Sequence, residues 1–228
     1  RRVRKTHAPS ISKVQTITLQ DTLPCVFSAE PPLRSEVWLQ PGLDLKQGVS
    51  CLVSAESGAG KSSLCAYICG YRRDYKGSIL FDGRDINSLT VKDWCRIRRE
   101  EIAYLPQDLA LFPELSAADN VFLKNRLTHY KSKEEIARLF DTLGLKDKWD
   151  SPVSKLSVGQ QQRVAIIRLL CQACQFYLMD EPVSHLDEEN NRIVAELVRE
   201  EAKKQGAAVI STSVGNPLLL DYTHTLKL

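Results

Sequence analysis

Apolar and polar positions along the chain fall into two kinds of segment. Short apolar runs at Val14–Leu19, Val49–Ser54 and Ser78–Phe81 predict strands, the last leading into a turn at Asp82-Gly83. Elsewhere the period lengthens. Lys61–Cys69 has helical character, and Ser132–Leu143 repeats apolar residues at Ile136, Leu139, Phe140 and Leu143 before Gly144, the pattern of an amphipathic helix with a glycine stop. Another helix is predicted from Val158 to about Cys171. Phe176–Met179 and Ala207–Ser211 read as strands on either side of a helix from Glu188 to Lys204, and this alternation predicts a parallel α/β sheet. Glu30-Pro31-Pro32 marks a loop, and neither an internal repeat nor a low-complexity tract is present.

With 228 residues, 43% of them hydrophobic and 26% charged, the composition fits one soluble, well-cored domain and excludes disorder, collagen and a disulfide miniprotein. Basic side chains number 31 against 28 acidic, but Arg1, Arg2, Arg4 and Lys5 supply the excess, and without them the balance is 27 against 28. A body-wide nucleic-acid footprint is therefore unsupported, and no nucleic-acid partner is expected. Charge breaks the longest apolar runs, such as Val164–Cys171, well short of the roughly 20 residues that span a bilayer, and no signal-peptide pattern opens the chain. Any membrane role is expected to come through a partner. The first residue is Arg, which suggests a start inside a longer chain or a processed end, with residues 1–13 as a basic tail before a domain at 14–228. Seven cysteines, an odd number in apolar surroundings, fit free thiols in a reducing compartment. Cys171 and Cys174 have C-x-x-C spacing and Cys65 and Cys69 share a helix face, but no His lies near either pair, so both are expected to be packing thiols.

The segment Ser54-Ala55-Glu56-Ser57-Gly58-Ala59-Gly60-Lys61-Ser62-Ser63, between a predicted strand and a helix, has the layout of a phosphate-binding loop. Small residues let backbone N–H groups face an anion, the helix N-terminus adds partial positive charge, Lys61 reaches the terminal phosphates and the Ser62 hydroxyl suits Mg²⁺. A Gly-Lys-Ser turn that merely opens a helix is the plainer alternative. Further along, Phe176-Tyr177-Leu178-Met179 ends in Asp180-Glu181-Pro182. Beside a phosphate-binding loop, Asp180 is placed to hold the Mg²⁺ shell and Glu181 to orient the attacking water.

Lys155-Leu156-Ser157-Val158-Gly159-Gln160-Gln161-Gln162-Arg163, at the start of a predicted helix, completes the pattern. The chain resembles ATP-binding cassette (ABC) ATPases, whose signature is Leu-Ser-Gly-Gly-Gln. The resemblance runs from Val14 to Leu228 and implies a P-loop NTPase α/β core, an N-terminal antiparallel β subdomain and a helical subdomain inserted roughly over 108–156. It also implies a catalytic set of Glu181, Gln107 and Ser213. Nucleotide contacts are expected from Phe27, Ser57, Gly58, Ala59, Gly60, Lys61, Ser62 and Ser63, and from Ser157, Gly159 and Gln160 toward the opposite subunit's ATP. Mg²⁺ would fall to Ser62, Gln107 and Asp180. Gln107 belongs to the Q-loop-like Leu105-Pro106-Gln107, Ser184-His185-Leu186-Asp187 is similar to the D-loop, and Phe27 is the candidate for stacking on adenine.

Trp94–Arg99 and Leu111–Val121 are similar to the lipoprotein-releasing, macrolide-export and cell-division members, which work through membrane subunits. The implied partners are a second copy or a paired ATPase subunit, and an integral membrane permease subunit on whose cytoplasmic face the chain would sit. Three positions depart from the family: Ala55 replaces a glycine and loses access to positive φ, Val158 replaces the first signature glycine, and Ser213 stands where a γ-phosphate-contacting His is usual. These raise a second reading, a nucleotide-gated subunit that binds ATP but hydrolyses it slowly. DNA-repair and chromosome-type members rank last, since no heptad run or metal cluster lies between Gln107 and Ser157.

Overall fold

The computed structural model describes residues 13–31 and 34–228, so nearly all of the expected basic tail lies outside it. In chain order the elements are β1 (Thr16–Pro24), β2 (Leu43–Lys46), β3 (Ser50–Ser54), α1 (Lys61–Ile68), β4 (Tyr75–Phe81), β5 (Arg84–Asp85), α2 (Val91–Glu100), β6 (Ile102–Leu105), α3 (Ala117–Asn125), α4 (Lys133–Thr142), α5 (Val158–Leu170), β7 (Phe176–Asp180), α6 (Glu188–Gln205), β8 (Ala208–Ser213) and β9 (His224–Lys227). Two sheets result. One is antiparallel in the order β2-β1-β4-β5; the other is parallel in the order β6-β7-β8-β3-β9. This is the expected P-loop α/β core with an antiparallel sheet formed by the first part of the chain.

The predicted strands and helices form, with changed ends. β1 runs five residues past Leu19 because a register shift between Gln20 and Leu23 absorbs the polar Gln20-Asp21-Thr22 stretch that hides it in the pattern. Asp21 adopts φ +47 there, and a Cβ on Gly77 opposite would lie 2.3 Å from the Asp21 carbonyl oxygen, so only glycine fits. β8 extends to Ser213, two residues beyond the apolar run, which brings Thr212 and Ser213 into the buried strand.

β7 is buried on both faces, and its alternation divides the interior. Phe176 and Leu178 join the core between the two sheets with Ile17, Phe81 and Tyr67, while Tyr177 and Met179 face the core built by α5 and α6. Residues 108–156 contribute α3 and α4, whose Val121, Ile136 and Phe140 pack into the α5–α6 core. On α2, Arg98 is not a solvated side chain: its guanidinium lies 4.5 Å from the Tyr71 ring centroid and 4.9 Å from that of Trp94, and it donates to the Cys69 and Gly70 carbonyls. Arg96 pairs with the buried Glu101. All seven thiols are free, and Cys25 and Cys95 are exposed while the other five are buried. Burial pushes the Cys69, Cys171 and Cys174 thiols up to about 12. Among the described residues no helix is long and apolar enough to cross a membrane.

Candidate functional site

Strands β3, β6, β7 and β8 are parallel, so their C-terminal ends share one edge of the sheet, the edge where open α/β sheets take ligands. The register brings Ser54 level with Ser213, Asp180 with Thr212, and Leu105 with Met179. Residues from the phosphate-binding loop, the acidic strand end and the Gln107 turn, far apart in sequence, therefore meet on this edge.

Beyond Ser54 the chain turns through Gly58 and Gly60 at φ +86 and +100, a backbone region that side chains other than glycine's rarely take. Ala55 is not at positive φ, so the expected loss of conformational access has no consequence, and its N–H donates to the Ser213 carbonyl at 3.2 Å. Gly60 caps α1 without a side-chain acceptor, which leaves the first-turn amides free to face an anion. A Cβ on Gly60 would also stand 3.2 Å from the rings of both Phe27 and Trp38. Lys61 is only 5% exposed. Its Nζ donates to the carbonyls of Glu56 at 2.9 Å and Ala55 at 3.4 Å, and lies 3.8 Å from Glu181 Oε1.

Ser57, Gly58 and Ser62 are open to solvent, and Ala59 and Gly60 are half-buried. The Ser63 hydroxyl accepts from Arg72 at 2.9 Å, so this member of the expected nucleotide set is already engaged. Phe27 lines a cavity of about 440 Å³ beside the loop with Val26, Ala59 and Leu228. A larger cavity, about 620 Å³, lies away from the loop between Tyr71, Tyr104, Phe112 and Leu123, with Arg98, Lys124 and Arg168 in its walls.

At the end of β7, Asp180 is buried; its Oδ1 accepts from Thr212 Oγ1 at 2.7 Å and its Oδ2 has no protein partner. A buried carboxylate oxygen is costly to leave unmatched, and with the Ser62 hydroxyl and the Gln107 amide on the same edge it makes an oxygen donor set that suits a small hard cation such as Mg²⁺. Glu181 adopts φ +51, a conformation that costs a non-glycine residue on the order of 1 kcal/mol or more and persists only where surroundings enforce it. The Glu181 N–H donates to Thr212 Oγ1 at 3.1 Å and its carbonyl accepts from Gln162 Nε2 at 3.2 Å.

Gln107 is exposed in the turn after β6. The two residues at Leu109 and Ala110 have φ of +61 and +44, and the Arg168 guanidinium on α5 donates to both carbonyls. Ser157 caps α5, accepting from the Gln160 N–H at 3.3 Å while Gln160 Oε1 accepts from the Ser157 N–H at 2.9 Å. Val158 is exposed, and a Cβ on Gly159 would come 3.0 Å from the His185 carbonyl. Ser213 is buried with an unpartnered Oγ, and the neighbouring Asn216 amide is turned to the Val183 carbonyl at 3.2 Å.

Four residues near this edge are given no role by the sequence: Trp38, whose Nε1 donates to the Ala59 carbonyl at 3.2 Å, and Thr212, Gln162 and Arg168. Gln162 shows in the sequence only as the last of three successive glutamines in the signature-like segment, Arg168 only as a charge between Ile167 and Leu169, and Thr212 only as a hydroxyl after the Ala207–Ser211 run.

The sequence profile of the family described as ABC transporter matches residues 40–184. The ribose import ATP-binding protein RbsA of Caldanaerobacter subterraneus is 35% identical over 75% of this chain, a stretch that makes up only 35% of that relative's length. The lipoprotein-releasing system ATP-binding protein LolD of Zymomonas mobilis is 33% identical over 77% of this chain and 78% of its own. Among solved structures, the dimeric bacterial ABC transporter cassette MJ0796 superposes with a TM-score of 0.71 at 26% identity, covering 86% of this chain and 87% of that one.

Proposed function

Because this chain belongs to the ABC transporter family of ATP-binding ATPases, we propose that it binds Mg-ATP on the loop from Ser54 to Ser63, hydrolyses it within a head-to-tail dimer and so drives an integral membrane partner. The observation that carries the reading is the meeting of Lys61, Asp180 and Glu181 on one strand edge, with one Asp180 oxygen buried and free.

In this reading the α1 amides and Lys61 meet the phosphate charge, and Lys61 exchanges its loop carbonyls for phosphate oxygens. Asp180, Ser62 and Gln107 would hold Mg²⁺, which neutralises phosphate charge when bound. Glu181 accepts a hydrogen bond from the attacking water and orients it. Phe27 offers a face to the base beside Ala59. Ser157, Gly159 and Gln160, at the exposed start of α5, serve the nucleotide held by a second copy. The larger groove, with apolar Phe112 and Leu123 beside Arg98, Lys124 and Arg168, is the surface we assign to the membrane partner. Attachment to the inner face of the membrane follows from that partner, and the match to LolD favours a partner of the lipoprotein-releasing type.

Ser213 supports a second reading, a subunit that closes on ATP but turns it over slowly, since a buried serine hydroxyl without a partner stands where the family places a histidine. Calorimetric titration tests the nucleotide site common to both. Lys61→Ala is expected to weaken Mg-ATP affinity by an order of magnitude or more, about 1.4 kcal/mol per decade; unchanged affinity would remove the loop from nucleotide binding.

A further inference from the structure

Gln162 lies on the second turn of α5 and is 1% exposed. Its Nε2 donates to the Glu181 carbonyl at 3.2 Å and to Ser184 Oγ at 3.3 Å, and its Oε1 accepts the His185 N–H at 3.0 Å. Ser184 Oγ in turn meets His185 Nδ1 at 3.0 Å. A single buried amide thus satisfies three polar groups of the turn that follows Glu181, in a helix whose next residues inward are Val164, Ala165 and Ile166. A packing role alone would be filled as well by an apolar side chain of similar volume, without the cost of burying an amide.

The geometry of Glu181 gives that amide its purpose. At φ +51 the residue sits outside the basin it would choose, and it is gripped from two sides: Thr212 Oγ1 takes its N–H and Gln162 takes its carbonyl. Those two bonds fix the peptide planes flanking the Cα and with them the direction in which the carboxylate leaves the strand, toward Lys61 at 3.8 Å. The start of α5 presses on the same turn, where the absent Cβ of Gly159 leaves the His185 carbonyl just enough room. We propose that Gln162 is a positioning residue for hydrolysis, holding Glu181 in the left-handed conformation that aims its carboxylate, so that loss of its donor slows the chemical step without weakening nucleotide binding. This rests on the reading of Glu181 as the group that orients the attacking water.

The test is a double-mutant cycle of Gln162→Met, which keeps the volume and removes the donor, with Glu181→Gln, reading kcat, Mg-ATP affinity and melting temperature for all four proteins. In the unmodified background Gln162→Met is expected to lower kcat by about tenfold to a hundredfold, the scale of a misplaced reacting group, with affinity within about twofold. In the Glu181→Gln background the same substitution should change the residual rate by less than about twofold, because the group it positions is gone. Equal losses in both backgrounds, or no loss in either, would overturn the proposal. Failure of Gln162→Met to fold, or a fall in affinity alongside kcat with melting lowered by more than about 5 °C, would make Gln162 a packing residue and overturn it too. Turnover undiminished in Glu181→Gln alone would instead remove the reading of Glu181 on which the proposal stands.

Discussion

At Ser213 a buried strand ends on a hydroxyl with no partner, level with Ser54 where the phosphate-binding loop begins. Serine is shorter than histidine and carries no positive charge, and Asn216, three residues further on, spends its amide on the Val183 carbonyl. Nucleotide binding, assigned in the proposed function to Lys61 and the loop amides, is expected to be intact while the chemical step is slow, as when an interaction made only in the transition state is missing. Ser213→His is therefore expected to raise kcat by about tenfold with a smaller change in affinity, read from steady-state ATPase assays. Brisk turnover in the unmodified chain with no gain from the substitution would mean that this edge is complete without an imidazole. Residues such as Lys61, Asp180 and Glu181 are legible in sequence because their chemistry is out of place at a loop or strand end. Thr212 and Gln162 are not, because neither a hydroxyl at the end of a strand nor the last of three successive glutamines announces which distant backbone group it satisfies. Ala55 is a different lesson: the sequence shows the missing glycine, and only the backbone shows that this position needs no positive φ.

Ser132 with Glu135 and Ser157 with Gln160 form reciprocal capping boxes at the starts of α4 and α5. That identity of local chemistry gives a matched pair. Ser132→Ala and Ser157→Ala should each cost about 1 kcal/mol in urea unfolding, the usual value of a lost cap. If Ser157 also meets a second copy's nucleotide, only Ser157→Ala should lose ATP-dependent dimerisation, and loss with both would trace the effect to stability rather than recognition. The elements that the pattern missed are α2 and α3, of ten and nine residues, and the short strands β2, β5, β6 and β9. β6 has four residues directly after the charged Arg98-Arg99-Glu100-Glu101, and among the described residues β9 is a largely exposed edge strand pairing only with β3. Their conformation is set by the strand beside them rather than by their own alternation. Asp187, which caps α6 by accepting from the Asn190 N–H, is held below the usual carboxylate range by that bond, so its contribution to stability is present at neutral pH and is lost as acid protonates it.

Across the whole molecule two cores meet at the parallel sheet, and the sheet's C-terminal edge collects every residue assigned to phosphate chemistry except those at the start of α5. Ser157 and the exposed Val158 stand on the outer surface instead, as the proposed site shared with a second copy requires. The most direct measurement of that proposal is the solution mass of Glu181→Gln by light scattering, with and without Mg-ATP, since this variant keeps the side-chain shape but removes the carboxylate proposed to orient the attacking water. Without nucleotide the mass should be that of one 25.7 kDa chain. With saturating Mg-ATP it should double. A variant that binds Mg-ATP and stays at the mass of one chain would contradict the shared site.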